Sequence, residues 1–264
     1  MKTLFLLSAF TIFSILAFGQ PIKHIDKQSL QKKEDSLKIY AVKLLEDSLP
    51  EGRYYADSLF TKIFVRAIKI NNSFYYPFDS LESISRLYAP DSSFRIFTWQ
   101  IVIGENIVHQ HGAIQMKTRD GSLKLYPLFD KSDVILNQSD TISNNKGWMG
   151  AVYYKIIQTK NNDHNFYTLL GFDENNMFSN KKIIEVLSFN NDEPVFGGSY
   201  FSFAEDSVPR SPVNRYIIEY KDGAGAKLNF DNDLNMIIVD HLVSVSNEPK
   251  KKWTYVPDGD YEGF

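Results

Sequence analysis

The amino-acid sequence predicts an α+β fold that is predominantly antiparallel β, with a short N-terminal helical segment followed by a meandering β-sandwich or a highly twisted sheet. One observation is that apolar residues recur at helical spacing between residues 20 and about 90. A second is that, from Phe94 onward, β-branched and aromatic runs alternate with clusters of Asn, Asp, Gly and Ser. The third is that the connections between these runs are short and lack helical spacing, which favours antiparallel pairing of neighbours.

Residues 1–19 are predicted to be a signal peptide. Lys2 provides the positive start, Leu4 to Phe18 form a run of 15 residues without a charge, and Ala17-Phe18-Gly19 has the small-x-small pattern that signal peptidase recognises. We expect cleavage before Gln20 and a periplasmic or secreted protein. Because a spanning helix needs about 18 or more apolar residues, no membrane span is expected after cleavage.

The predicted helical segment covers residues 20–92. Three helices are expected in it, at about residues 29–49, 55–67 and 79–89. Ser29 can cap the first helix, and Pro50-Glu51-Gly52 is expected to end that helix. Asp79 and Glu82 have the spacing of a capping box, which favours the third helix.

Residues 93–264 are predicted to form one antiparallel β domain. Its expected strands lie at about 94–103, 107–117, 122–128, 133–136, 149–159, 165–172, 182–189, 195–203, 214–221 and 226–242, the last interrupted by a turn. Several runs are apolar on both faces, which is typical of a sheet covered on both sides.

These strands contain a weak internal sequence repeat. Phe129-Asp130, Phe172-Asp173 and Phe230-Asp231 each end a strand in an aromatic residue followed by an aspartate, and polar residues follow each pair. Aspartate and asparagine side chains favour such turns because they hydrogen-bond to the backbone two residues on. We interpret this repeat as the recurrent use of the same residues in hairpin turns, with internal duplication or a propeller blade as the alternative.

The composition excludes several classes of partner. The chain has 29 basic and 32 acidic residues, a net charge of −3, and no cysteine. A weakly negative chain has no field that would attract a nucleic acid, so no nucleic-acid partner is expected. Without cysteine, disulfides, thiolate metal ligands and N-terminal lipid attachment are all excluded.

Aromatic residues are abundant and suit a densely packed core. The chain has 20 Phe, 15 Tyr and 3 Trp, together 14% of its residues. At strand spacing most of these rings are expected in the core, and Trp148 and Tyr153 are candidate ligand-binding residues because such rings also stack on sugars.

The histidines offer two weak patterns. His109 and His111 lie two apart in a predicted strand, so both rings project from one face and could share a metal if a third ligand came from elsewhere; a solvated strand face is the alternative. Asp240 and His241 are adjacent, so in a strand their side chains point to opposite faces and cannot form a dyad with each other. Either one is a candidate to line a pocket.

The C-terminal tail adds two further candidates, Asp258 and Tyr261. Asp258, Asp260 and Glu262 alternate along the chain like part of a calcium loop, but the rest of that motif is missing, so Asx turns are the preferred interpretation and no metal is predicted. The rings of Tyr261 and Phe264 are expected to dock on the β domain.

Several segments together resemble an uncharacterised family of exported proteins from Bacteroidota. These are the segments 148–154, 169–176 and 182–187, Arg215, Glu219-Tyr220, Asp240-His241-Leu242 and the ending 257–264. The resemblance covers about residues 94–264. It implies an envelope or periplasmic setting in a Gram-negative bacterium, and no catalytic or ligand-binding residue carries over.

Two functions fit these observations. The first is a non-catalytic exported protein that binds an unknown envelope component or a small ligand and needs no cofactor. It rests on the signal peptide and on the absence of a G-x-S-x-G elbow, an H-E-x-x-H helix and a phosphate-binding glycine loop. The alternative is a periplasmic or secreted hydrolase that uses paired carboxylates such as Asp240 and Asp258, because such pairs leave no sequence motif.

Overall fold

The computed structural model describes residues 22–104, 106–203 and 210–264, and the predicted signal peptide lies outside the described residues. Two α-helices open this part of the chain, α1 (His24–Glu46) and α2 (Pro50–Ile68). The strands that follow are β1 (Ser85–Tyr88), β2 (Phe94–Gly104), β3 (Ile107–Met116), β4 (Lys124–Phe129), β5 (Ser143–Asn144), β6 (Val152–Asn161), β7 (His164–Asn176), β8 (Ser179–Asn190), β9 (Glu193–Phe196), β10 (Phe201–Phe203), β11 (Arg210–Val213), β12 (Tyr216–Lys221), β13 (Leu228–Asp231), β14 (Met236–Ser244) and β15 (Tyr255–Gly263). Neither α-helix is long and apolar enough to cross a membrane.

The predicted fold class is confirmed, since helices precede strands that pair antiparallel throughout the described sheets. Sheet I has the order β1-β2-β3-β4, and sheet III has the order β13-β14-β15. Sheet II has the order β5-β9-β8-β7-β6, with β12 also paired to β8. Strands β10 and β11 form a separate hairpin. Most pairs join neighbours in the chain, so the sheets are meanders.

The alternation of side chains along β2 explains how the first layers stack. Phe97 and Trp99 on one face pack with Phe60 and Phe64 of α2. Ile96 on the other face belongs to the core shared with sheet II. Strand β2 is therefore covered on both sides, which accounts for its nearly continuous run of buried residues.

Sheet II is likewise buried on both faces. Leu169 and Leu187 face sheet I, whereas Leu170 and Ile184 belong to the core shared with sheet III, which also contains Val239. The molecule is thus a stack of helices, sheet I, sheet II and sheet III. Strand β2 and the strands of sheet II, which are apolar on both faces, therefore lie between other layers, as the sequence predicts.

The three predicted Asx turns are present. The Oδ1 atoms of Asp130, Asp173 and Asp231 accept hydrogen bonds of 2.9 Å from backbone N–H groups two residues later. The Asp231 turn closes the β13–β14 hairpin, the Asp173 turn lies at the register shift near the end of β7, and the Asp130 turn opens the long connection between β4 and β5. The repeated sequence pattern therefore corresponds to three Asx turns.

The third predicted helix is wrong, because Ser85–Tyr88 is strand β1 and pairs with β2. Phe78 has a φ of 57°, a left-handed conformation that a helix cannot contain, and short turns carry the chain from there to Ile84. Pairing with the edge of β2 overrides the local capping pattern. Pro50 also has the opposite role from the one predicted: it lies in the first turn of α2, where its missing N–H costs nothing.

The strand predictions are wrong in several places. The run 195–203, predicted as one strand, is divided between β9 and β10. Residues 133–136 form no strand; they belong to the loop between β4 and β5 that the Asp130 turn begins. Conversely, the acidic tail is strand β15, whose end is fixed by two backbone hydrogen bonds between Ile237 and Phe264. The ring of Phe264 packs on Phe201 and Tyr216 as expected, but Tyr261 is 66% exposed and does not dock.

Candidate functional site

An open cleft of about 630 Å³ lies where β12, the β14–β15 hairpin and the loop 135–139 meet. We call it the His241 cleft. Its lining residues are Ile135, Leu136, Gln138, Ser139, Lys181, Tyr216, Ile217, Ile218, Glu219, Asp240, His241, Leu242, Lys252, Tyr255 and Glu262. They come from segments far apart in the chain, so only the stacking of sheets II and III brings them together.

Asp240 and His241 both line this cleft although they are neighbours in β14. The register of β14 against β15 shifts between Asp240 and Leu242. Such an irregularity locally disrupts the alternation of side chains, and it re-aims residues in many functional sites. Both candidate residues therefore line the same cleft.

Asp258 pairs with His241 from outside the cleft lining. Its Oδ2 lies 2.8 Å from Nδ1 of His241. The hydrogen bond from His241 lowers the pKa of Asp258. The partner of the histidine is thus the carboxylate opposite it in β15 and not its neighbour Asp240, whose Oδ2 accepts from the backbone N–H of Lys227 at 2.8 Å. With Nδ1 engaged, Nε2 is the ring atom left for a ligand.

The other charged groups of the cleft are carboxylates that accept hydrogen bonds from the protein and lysines that have no ion pair within the described residues. Glu262 accepts from the Tyr216 hydroxyl at 2.9 Å, and Glu219 accepts from the Ser179 hydroxyl at 2.6 Å. Within the described part of the chain, neither Lys181 nor Lys252 forms an ion pair. The ammonium of Lys252 instead lies 4.4 Å from the centre of the Tyr255 ring. The cleft lining thus combines two lysines and His241 with the carboxylates of Glu219, Asp240 and Glu262.

Trp148 and Tyr153, two of the predicted ligand-binding residues, are fully buried at 0% exposure. Trp148 Nε1 donates to the Tyr153 hydroxyl at 2.7 Å, and that hydroxyl donates to Glu185. Burial raises the pKa of Tyr153 well above its ordinary value. Trp148 and Tyr153 thus belong to a chain of hydrogen bonds that ends at Glu185 in the core, where no ligand reaches them. Tyr261 is exposed but lies outside the cleft lining.

Of the six predicted residues, the structure brings together three: Asp240, His241 and Asp258. Sequence reasoning missed Lys181, Lys252, Glu262 and the loop at 135–139. No local signal could have found them, because a lone lysine or glutamate on a strand is normally a solvated residue.

The two histidines of β3 separate into different surroundings. His111 Nε2 lies 3.3 Å from Oδ2 of Asp57 in α2, and its ring stacks on Trp99. Burial lowers the pKa of His111. His109 lines a different cleft, and the described ranges contain no group of three His, Asp or Glu residues that could hold a metal ion. The structure supplies no third ligand to this pair.

That second cleft, of about 730 Å³, holds the carboxylates of Asp130 and Asp173. Both accept from Gln110, Asp130 from its backbone N–H at 3.1 Å and Asp173 from its side-chain amide at 2.8 Å. Burial raises the pKa of Asp173, against the opposing effect of the Lys181 charge. Lys181 and Gln138 line both clefts, so the two adjoin.

Asp173→Asn is expected to raise the melting temperature at pH 7. Because the folded-state pKa of Asp173 is raised, its ionised form is disfavoured on folding, and this cost disappears below the unfolded pKa of about 3.9. The gain of Asp173→Asn should therefore vanish when melting is repeated near pH 3.5. Asp133→Asn, at an exposed position of the same cleft, serves as the control and should show no such gain. A lower melting temperature for Asp173→Asn at pH 7 would instead mean that Lys181 stabilises the charge.

Comparison of the chain with protein-family models, with curated proteins and with solved structures gave no match.

Proposed function

We propose that this is an exported, non-catalytic, β-rich protein of the bacterial cell envelope that binds an envelope component or a small ligand in the His241 cleft. The observation that carries the proposal is the convergence of Lys181, Lys252 and His241, whose ring is held by Asp258, on one open cleft of about 630 Å³. Ligand sites are concave and present a few well-placed polar groups to their ligand. The export pattern of residues 1–19 and the resemblance to exported proteins support the envelope setting.

Binding can be tested with the mature protein, residues 20–264, and probes of defined chemistry. We would titrate soluble peptidoglycan fragments, lipopolysaccharide core oligosaccharides and short peptides, and follow the backbone amides by NMR. The expected result is saturable shifts that concentrate on residues of the cleft. His241→Ala and Lys181→Ala should each weaken binding by about 10- to 150-fold, since a charge-assisted hydrogen bond contributes about 1.5–3 kcal/mol.

His164→Ala is the matched control, because His164 is an exposed histidine of β7 outside the cleft, and its binding curve should equal that of the wild type. Binding that is insensitive to both cleft variants would contradict the assignment to this site. Intact mass of the protein recovered from the periplasm or medium tests export, and a form that still begins at Met1 would contradict it.

A hydrolase is the second candidate, and one observation favours it. Asp130 and Asp173 share a cleft and a hydrogen-bonding partner, and burial raises the pKa of Asp173. Two carboxylates in unequal surroundings are the usual arrangement for general acid and general base. In this alternative Asp173 is the acid and Asp130 is the base, in place of the Asp240 and Asp258 pair considered from the sequence.

The hydrolase alternative makes a distinct prediction. Incubating the mature protein with peptidoglycan sacculi and soluble polysaccharides should release no new reducing ends or amines if the protein only binds. Release that is abolished by Asp173→Asn, but kept by Asp133→Asn, would establish hydrolysis and overturn the non-catalytic proposal.

A further inference from the structure

A row of three charged residues of sheet II runs from the second cleft into the His241 cleft. Asp173 of β7 and Glu219 of β12 each lie opposite Lys181 of β8 in the strand register. Asp173 lines the second cleft, Glu219 lines the His241 cleft, and Lys181 lines both. Side chains directly opposite each other in antiparallel strands share a face, with Cβ atoms about 4.5–5.5 Å apart, so the row is about 10 Å long. It joins the two clefts into one groove.

The carboxylates at the two ends of this row are fixed by the protein. Asp173 accepts from the side chain of Gln110 and from the backbone N–H of Asn175, both through Oδ1. Glu219 likewise accepts from the Ser179 hydroxyl and the Asn175 side chain through Oε1. Their other oxygens, Oδ2 and Oε2, accept no hydrogen bond from a described residue, and neither atom is buried. Each carboxylate therefore leaves one oriented oxygen to a ligand.

The groove has no excess of charge of one sign. Lys181 has no ion pair with a described residue, but it lies between two carboxylates in the sheet. The rest of the two linings is mixed in the same way: its carboxylates are Asp130, Asp133, Asp240 and Glu262, and its lysines are Lys131 and Lys252. A charged ligand group would meet both signs at close range, so the groove favours a ligand without net charge.

The hydrogen-bonding groups of the groove are mixed as well. Carboxylate oxygens accept, the ammonium of Lys181 donates, and carboxamides do both. The second cleft is rich in carboxamides, which belong to Asn106, Gln138, Asn175 and Asn176. A hydroxyl group also both donates and accepts, so a ligand with many hydroxyl groups complements this lining.

From these observations, and given the binding function proposed above, we infer that the ligand is a neutral oligosaccharide that lies across the Asp173–Lys181–Glu219 row and contacts both clefts. To reach both carboxylates it must span about 10 Å, which is longer than a single sugar ring. Tyr216 packs on Phe264, and Lys252 lies over the ring of Tyr255. Hydrogen bonds, more than stacking on these rings, would therefore provide the selectivity.

The probes are the disaccharides maltose, cellobiose and N,N′-diacetylchitobiose, with glucose and N-acetylglucosamine as their single rings. Each is titrated into the mature protein while the backbone amides are followed by NMR. We expect at least one disaccharide to shift amides of both clefts, such as Asn176 and Lys252, and its single ring to bind at least about tenfold more weakly. Because the ligand is neutral, raising the salt from about 20 to about 500 mM should change the dissociation constant by less than about twofold.

Substitutions in the row test the contacts from the protein side. Lys181→Met removes the donor shared by both clefts and should weaken binding by about 10- to 150-fold, whereas Lys181→Gln keeps an N–H donor and should retain more of the affinity. Glu219→Gln keeps an acceptor oxygen, so it should weaken binding by no more than about tenfold. Lys160→Met is the matched control, because Lys160 is an exposed lysine of β6 outside both clefts, and it should bind like the wild type. Melting curves verify that each variant is folded at the titration temperature.

Each outcome separates this inference from the wider proposal. Cleft binding of peptides or charged sugars with none of the neutral saccharides, or a dissociation constant that rises more than about tenfold with salt, would overturn the neutral oligosaccharide but keep a ligand site. Equal affinity for one ring and two, with shifts in one cleft only, would overturn the span across the row, and so would wild-type affinity of Lys181→Met. If no probe shifts residues of either cleft, both proposals fail.

Discussion

Arg215→Met is expected to lower the free energy of unfolding by about 3–5 kcal/mol, the range observed when one partner of a buried ion pair is removed. Arg215 is fully buried, and its Nε and Nη2 atoms both lie 2.7 Å from Oε2 of Glu185, which is also buried. Without the guanidinium, Glu185 would be left as a buried carboxylate whose described donor is the Tyr153 hydroxyl. A single neutral donor does not compensate a buried charge.

The same substitution should loosen the wall of the His241 cleft. Nη1 of Arg215 donates to the carbonyl of Gln138 at 2.5 Å and to that of Thr141 at 3.2 Å. Both carbonyls belong to the loop that carries Leu136. Arg215→Met is therefore expected to weaken ligand binding even at temperatures where the variant is fully folded, because the loop loses two of the hydrogen bonds that hold it and keeps those to Asn214 and to the backbone of residue 215.

Urea unfolding followed by circular dichroism measures the loss. Lys124→Met is the matched control, because Lys124 and Asp192 form an ion pair on the surface, where such a pair contributes about 0–1 kcal/mol. The double variant Glu185→Leu with Arg215→Met should recover part of the loss, since it leaves no unpaired charge. A loss below about 1 kcal/mol for Arg215→Met alone would show that the pair contributes no more than a surface one.

Sequence patterns predicted the sheets well because burial on both faces leaves a strong local signal. Strand β2 contains Phe94, Phe97 and Trp99 within six residues, and no helix or turn explains that run. The Asx turns were equally visible, since an aspartate such as Asp231 acts on the backbone two residues away. Both signals depend on neighbours in the chain.

The candidate site could be predicted only in part, because it depends on residues that are distant in the chain. Asp240, His241 and Asp258 were identified, but the pairing of His241 with Asp258 depends on a register shift that no residue pattern announces. Lys181 reaches the cleft only because β12 pairs with β8, placing Glu219 opposite it. Contacts of this kind are set by the stacking of sheets and leave no periodicity in the sequence.

The segment predicted as a third helix shows the same principle, and Arg95 explains its conformation. This buried guanidinium of β2 donates to the carbonyls of Ser73 and Tyr76 at 2.7 and 2.6 Å and to the Tyr88 hydroxyl at 2.9 Å. The guanidinium carbon Cζ of Arg95 also lies 4.6 Å from the centre of the Phe97 ring. These tertiary hydrogen bonds hold the backbone at Ser73 and Tyr76, just before the predicted helix, and fix Tyr88 of β1 against β2.

Arg95→Met is accordingly expected to lower the free energy of unfolding by about 2–6 kcal/mol, because two buried carbonyls lose their donor at about 1–3 kcal/mol each. Burial lowers the pKa of Arg95 to about 10, so the native state already bears the cost of desolvating this charge, and Met recovers that part. Arg95→Lys keeps the charge but not the planar fork that reaches all three acceptors, so it should also destabilise. Hydrogen exchange locates the effect: amides of residues 73–88 should exchange faster in Arg95→Met at low urea, while those of the β7–β8 hairpin keep wild-type rates. Uniform acceleration along the chain would mean that Arg95 stabilises the whole stack of sheets and not this segment in particular.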